Sequence, residues 1–181
     1  LYHYEEMLLY DDVFRQSLWN TVIFMASSPV GIALALGIAL LVNTQIRGRG
    51  IYRTIVFMSY PVMTVAAAII WKWLYNETVG LINYVLLSLG IIQKGIPFLE
   101  SFEFALPSVI VASIWQVIGF YMIILLTGLQ NIPPSLYESA AIDGASAWQR
   151  FRRITLPLLK PSIFLSFVVG IINSFTNFDL I

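Results

Sequence analysis

Long uncharged runs alternate with short charged segments along this chain. No Asp, Glu, Lys or Arg occurs between Arg15 and Arg47, between Arg53 and Lys72, between Glu103 and Glu138, or between Lys160 and Asp179. A helix needs about 20 apolar residues to cross a hydrocarbon core of about 30 Å, and each run has room for one. The pattern predicts spans at about 17–43, 54–74, 105–129 and 161–181. Pro29 should kink the first, because proline removes a backbone donor and crowds the preceding turn. Pro133 and Pro134 close the third, and Pro161 opens the fourth in its first turn, where no hydrogen bond is lost. The run Thr78 to Gln93 is also uncharged but short, and Gly80, Gly90 and Gly95 punctuate it. It predicts an interfacial or re-entrant helix on the outer side, flanked by an aromatic belt of Trp71, Trp73, Tyr75 and Tyr84, with Lys72 reaching water. The expected fold class is all-α: a polytopic helical membrane protein showing four transmembrane helices.

Composition agrees, with 59% hydrophobic and 11% charged residues against about 25% charged in an ordinary soluble domain. There is no cysteine, so disulfides, thiolate metal sites and Cys nucleophiles are excluded. His3 is the single histidine, which argues against a metal site and against Ser-His-Asp catalysis. No signal peptide is visible: the chain opens on Leu1, and Glu5, Glu6, Asp11 and Asp12 reverse the basic start one would carry. The expectation is a fragment of a six-span protein, lacking one span at each end.

Charge sets the orientation. Arg47, Arg49 and Arg53 in one loop and Arg150, Arg152, Arg153 and Lys160 in another are seven of the ten basic residues, which places both loops in the cytoplasm. The acidic residues Glu5, Glu6, Asp11, Asp12, Glu77, Glu100, Glu103 and Asp179 fall in the outer segments.

The second of those loops, 130–160, is long for a connector between packed helices, where about 2 to 8 residues suffice. Its sequence predicts its own structure. Pro133 and Pro134 can start a helix that "SLYESAAI" continues, and Gly144 suits the left-handed position after its end. Ser146 can cap a second helix, on which Trp148, Phe151 and Ile154 form an apolar face opposite Arg150, Arg152 and Arg153. A polar connector obeying the positive-inside rule and a docking element both fit this pattern.

The stretch "ESAAIDGASAWQRFRRITLP" resembles the EAA loop of permease subunits of binding-protein-dependent ABC importers. Glu138, Ala140, Gly144, Ile154, Leu156 and Pro157 stand at the family spacing, and Ser139 departs from it where an alanine is usual. "AIDGA" around Asp143 looks more like the sugar-type branch. "LWNTVIF", "IALLVNTQIRGRGIYRTIVF", "IIWKWLYNETVGLINY" and "SFTNFDLI" are similar to other parts of those permeases, so the resemblance covers most of the chain. It implies a MetI-like, multi-pass subunit of a bacterial or archaeal plasma membrane. Its coupling residues would be Glu138, Ser139, Ala140, Ala141, Asp143, Gly144, Ile154, Leu156 and Pro157, docked in a groove of a cytoplasmic ATPase subunit. The implied partners are those ATPases, a second, non-identical permease chain, a solute-binding protein outside, and membrane lipid. No cofactor is expected on this chain, ATP and magnesium belonging to the ATPase.

The rest of the sequence fits that division of labour. "GRG" at Gly48–Gly50 lacks the Gly-x4-Gly-Lys-Ser/Thr arrangement that cradles phosphates, so no enzyme activity is expected here. The neighbouring arginines read as lipid anchors, with no nucleic acid expected. Polar groups inside spans are candidates for a solute pathway: Asn173, Ser174, Thr176 and Asn177 with Phe175 and Phe178, and Gln116 and Ser113 in the third span. Amides and aromatic faces suit a sugar, and the same groups equally suit bonding between helices. The rival readings are a permease for another small solute, such as a polyol or glycerol phosphate, and a non-transport membrane scaffold or intramembrane hydrolase.

Overall fold

Prolines decide where the long apolar runs stay whole. The computed structural model describes residues 11–44 and 48–176, and every regular element among them is helical. Helix α1, Asp12–Asn43, passes through Pro29 without a break. Just before the proline, Ser27 Oγ donates to the Phe24 carbonyl at 2.6 Å.

The run 54–74 behaves differently from the expected single span. It is divided between α2, Arg49–Phe57, and α3, Thr64–Leu74, joined by a turn. Pro61 is the cause: its ring would meet the carbonyl of Phe57 four residues back, and α2 stops there. The residue before it, Tyr60, is also steered away from helical backbone.

After α3 comes α4, Leu81–Ser88, a short helix within the run 78–93 where the sequence suggests one. Helix α5, Ala105–Gln130, matches the expected third span. It is followed by α6, Pro134–Ile142, and α7, Ala147–Leu158, which contains a π-helical stretch at Phe151–Thr155. Helix α8, Lys160–Thr176, follows α7 at a bend of 61°. Pro157 does not end α7, which runs on to Leu158. The π stretch shifts the hydrogen-bond ladder there, with Leu156 N–H bonding back to Phe151, so the proline's missing donor falls where the ladder is already changing register. By length and hydropathy α1 and α5 can each cross a bilayer alone, and the bent α7–α8 pair makes a third span if taken as one.

The residues divide into two units. The first takes in 11–28, Val62–Ile114 and 171–176 of the described residues, the second Pro29–Pro61 and Trp115–Gly170. In the first, Tyr75 is buried and its hydroxyl donates to the Ser108 carbonyl at 3.1 Å, with the Phe98 ring 5.2 Å away. Tyr75 is therefore interior rather than part of an outer belt, whereas Trp73 and Tyr84 are exposed as a belt requires. Asn83, 1% exposed, donates to the carbonyls of Asn76 and Ile96 and accepts from Ile96 N–H.

The second unit has a continuous apolar core. Ile32, Ala35, Ala39 and Val42 of α1 recur at intervals of three and four and meet Tyr121, Met122, Leu125, Leu126 and Leu129 of α5, together with Ile132 and Leu159. Small residues bring the backbones close. A Cβ on Gly119 would lie 2.4 Å from the Val56 carbonyl oxygen, and one on Gly128 would lie 2.8 Å from Leu159 Cδ2.

Candidate functional site

The polar loop 130–160 folds as the helix, glycine turn and helix that its sequence suggests, and each joint has a local cause. Pro134 sits in the first turn of α6, where its fixed φ favours helix and its missing donor is not needed. The helix ends in a Schellman motif: Gly144 N–H bonds to the Ala141 carbonyl at 3.1 Å, and Ala145 N–H to the Ala140 carbonyl at 2.9 Å. That motif needs a left-handed residue, and Gly144 has φ +76°. Ser146 then starts α7 with a capping box, its Oγ accepting from Gln149 N–H while its own N–H donates to Gln149 Oε1 at 2.7 Å. Ser146 was expected as a cap; the reciprocal role of Gln149 was not.

Two sides of the hairpin differ. Tyr137 and Ile154 pack against the core of the second unit, beside the fully buried Leu159. Tyr137 Oη and Thr155 Oγ1 lie 2.8 Å apart in a hydroxyl–hydroxyl hydrogen bond that ties α6 to α7. On the other side Glu138, Ser139, Ala141 and Asp143 are exposed, as is Ile142 at 87%. No ion pair to Glu138 forms among the described residues. An apolar side chain left this open beside an unpaired carboxylate is a surface suited to a partner.

Between the limbs lies a hollow of about 380 Å³ lined by Ala140, Asp143, Gly144, Ala145, Gln149, Arg150, Arg153 and Ile154. The structure thus gathers Ala140, Asp143, Gly144 and Ile154 of the expected coupling residues around one concavity, with Glu138, Ser139 and Ala141 on the adjoining face of α6. Leu156 and Pro157 stand beyond it, toward the end of α7. Arg150 Nε is buried without a hydrogen-bond partner. The apolar face expected from Trp148, Phe151 and Ile154 is split: the Trp148 and Phe151 rings stack at 5.5 Å with Trp148 largely exposed, and Ile154 turns inward. The π stretch between them is the reason, because its added residue per turn breaks the three-residue repeat.

The residues expected along a solute pathway are less concentrated. Gln116 is half-buried in the second unit, while Ser113 is buried in the first with its Oγ unbonded. Asn173 and Ser174 are half-buried on α8 and engaged in interactions, and Phe175 is exposed. Thr176 ends α8, and Asn177 and Phe178 lie outside the described residues, as do His3, Glu5, Glu6, Arg47 and Asp179.

Comparison with known proteins supplies the family. Residues 27–181 match the family described as "Binding-protein-dependent transport system inner membrane component". The chain is 36% identical over 171 residues to the trehalose/maltose transport system permease protein MalF of Thermococcus litoralis, covering 92% of this chain and 57% of that one. It is 38% identical over 171 residues to the lactose transport system permease protein LacF of Rhizobium radiobacter, covering 93% and 57%. A crystal structure of a bacterial alginate ABC transporter in complex with alginate pentasaccharide-bound periplasmic protein superposes with a TM-score of 0.79 at 29% identity, over 92% of this chain and 59% of that one. The chain therefore spans somewhat more than half the length of the proteins it matches. With a helical fold, apolar spans and the hairpin at the EAA spacing, this chain belongs to the family of binding-protein-dependent transport system inner membrane components.

Proposed function

We propose that this chain is the pathway-forming and coupling part of a carbohydrate importer in the plasma membrane, driven by ATP hydrolysis on a separate subunit. The observation that carries the proposal is the α6–α7 hairpin, which offers Glu138, Ile142 and the Arg150-lined hollow outward while Tyr137 and Ile154 root it in the core of the second unit. A docking surface fixed to transmembrane helices can convert motion of a cytoplasmic partner into motion of the spans. ATP and magnesium would be held by that partner, closure of whose paired subunits would displace the hairpin. A second permease chain would complete the pathway, and a soluble binding protein would deliver solute to the outer segments. The spans would then alternate between outward and inward access.

Carbohydrate as the solute rests on relatives named for trehalose and maltose, lactose and alginate. The periplasmic protein in the alginate transporter complex supports the delivery step. Asn173, Phe175, Thr176, Asn177 and Gln116 are the proposed pathway residues, with amides for hydroxyl groups and aromatic faces for sugar rings.

The test is assembly. Full-length permease co-expressed with candidate ATPase subunits should retain one of them through purification, and Glu138→Ala should release it while leaving the permease's own melting temperature unchanged, because Glu138 is exposed and makes no ion pair among the described residues. Retained assembly and retained transport in Glu138→Ala would overturn the coupling role. A thermal-shift screen of the cognate binding protein against mono- and oligosaccharides, polyols and glycerol phosphate would decide the solute class.

A further inference from the structure

A hairpin transmits force only if its limbs do not fold against each other under load. Here α6 and α7 are joined at one end by the Gly144 turn, and glycine is the least constrained residue the backbone can place there. At the other end the chain is closed by a single side-chain hydrogen bond among the described residues. Tyr137 stands near the start of α6 and Thr155 near the end of α7, and their hydroxyls meet at 2.8 Å. The turn and the tie together make a closed loop.

Three further observations place this tie in a line of contacts rather than on the surface. Thr155 is 4% exposed, so its hydroxyl is shielded from competing water and would be costly to leave unbonded. Thr155 closes the π stretch Phe151–Thr155, and one additional residue in a helix rotates all that follows by about 100°. The π stretch thus sets which way Thr155 faces. From Thr155 the line continues through its carbonyl, which accepts from Leu159 N–H at 3.0 Å, to the Leu159 side chain, fully buried against α5 where Gly128 gives it room.

We infer that Tyr137 and Thr155 are positioning residues for energy coupling: their hydrogen bond locks the two limbs into one body, so that displacement of α6 is delivered through Thr155 and Leu159 to α5. This rests on the proposed importer function. Neither side chain is required to touch the ATPase, and their role is separable from docking.

The experiment uses the full-length permease assembled with its ATPase. These 181 residues contain no cysteine, and with any cysteine elsewhere in the permease or the ATPase replaced by serine, spin labels at Ser135→Cys on α6 and Arg152→Cys on α7 report the separation of the limbs in the nucleotide-free and the ATP–vanadate-trapped complex. The expected result is one narrow distance distribution, the same in both states. In Tyr137→Phe and in Thr155→Val the distribution should differ between the two states by more than its own width, and Thr155→Ser, which keeps the hydroxyl, should restore the single distribution. A limb separation independent of state in Tyr137→Phe and Thr155→Val overturns the inference while leaving docking intact. Failure of the unsubstituted permease to hold an ATPase overturns the importer reading and this inference with it. A variant too unstable to assemble is replaced by Thr155→Ala, for which the same two outcomes apply.

Discussion

Asn83 holds Ile96 by both ends of its carboxamide: Nδ2 donates to the Ile96 carbonyl at 3.0 Å and Oδ1 accepts from Ile96 N–H at 2.9 Å. The second Nδ2 proton goes to the Asn76 carbonyl at 3.0 Å. One buried side chain therefore pins two separate stretches of backbone beside the short helix α4. A neighbouring clasp works in the same way, with Asn76 Oδ1 accepting from Thr78 N–H, Thr78 Oγ1 and Val79 N–H. The stretches 75–80 and 89–104 have little regular structure, and these side-chain bonds satisfy backbone groups that no helix pairs.

Removing Asn83 should accordingly cost more than removing one contact. Asn83→Ala leaves the Ile96 N–H without a partner, while the Asn76 and Ile96 carbonyls keep the N–H groups of Gly80 and Phe98, and a buried unsatisfied group costs about 1–3 kcal/mol. Lowered melting temperature of the solubilised full-length protein is expected, by an amount corresponding to about 1–3 kcal/mol. Melting indistinguishable from the unsubstituted protein would show that this segment does not depend on the clasp.

Gly119 tests the packing of the second unit. A methyl group there would stand 2.4 Å from the Val56 carbonyl oxygen and 2.8 Å from Phe57 Cα, and both are backbone atoms that cannot rotate aside. Gly119→Ala should destabilise the protein by about 1–3 kcal/mol through overpacking. Gly37→Ala serves as the control, since its added Cβ would meet nothing within 4 Å. Equal thermal stability of the two variants would contradict the close approach of α2 and α5.

What was legible in the sequence follows the kind of signal each feature leaves. Charge spacing marked α1 and α5, and the spacing from Glu138 to Pro157 marked the hairpin, because both are written in residue types at fixed intervals. Counting apolar residues gives no weight to Pro61, so the run 54–74 read as one helix when the proline divides it. Asn83 was hidden for the opposite reason: in an apolar run one polar residue reads as solvent-facing, and only the fold brings Ile96 to it. The Tyr137–Thr155 bond was illegible because a π stretch has no residue signature, and "FRRIT" reads as ordinary helix until the backbone shows the additional residue. Pathway residues remain diffuse for a related reason, since an amide inside a span has the same sequence whether it faces a solute or a neighbouring helix.

The Gly144 turn should tolerate little. Its Cβ position is open, with nothing within 4 Å, so the effect of a substitution is conformational and not steric crowding by neighbours. A left-handed backbone costs a non-glycine residue about 1 kcal/mol or somewhat more. Gly144→Ala should loosen the Schellman motif and lower ATPase retention several-fold, and Gly144→Asn should recover part of it, since Asn accepts that conformation more readily. Retention by Gly144→Ala equal to that of the unsubstituted protein would show that the hairpin does not need this turn.

Phe102 is 95% exposed, with Glu100 and Glu103 exposed beside it, in the segment that the charge pattern assigns to the outer side. So bare an aromatic ring contributes little to the fold, while aromatic side chains ringed by charge are well suited to a protein contact. Phe102→Ser should leave the melting temperature unchanged and weaken capture of the cognate binding protein by the assembled transporter. Charge reversal at Glu100→Lys and Glu103→Lys should slow that capture most at low salt, because exposed charges act over a screening length of about 10 Å at 0.1 M. Surface plasmon resonance with the transporter in nanodiscs, read across a salt series, measures both effects. Unaltered capture by all three variants would remove this segment from the docking surface, and a fall in melting temperature for Phe102→Ser would assign the ring to folding instead.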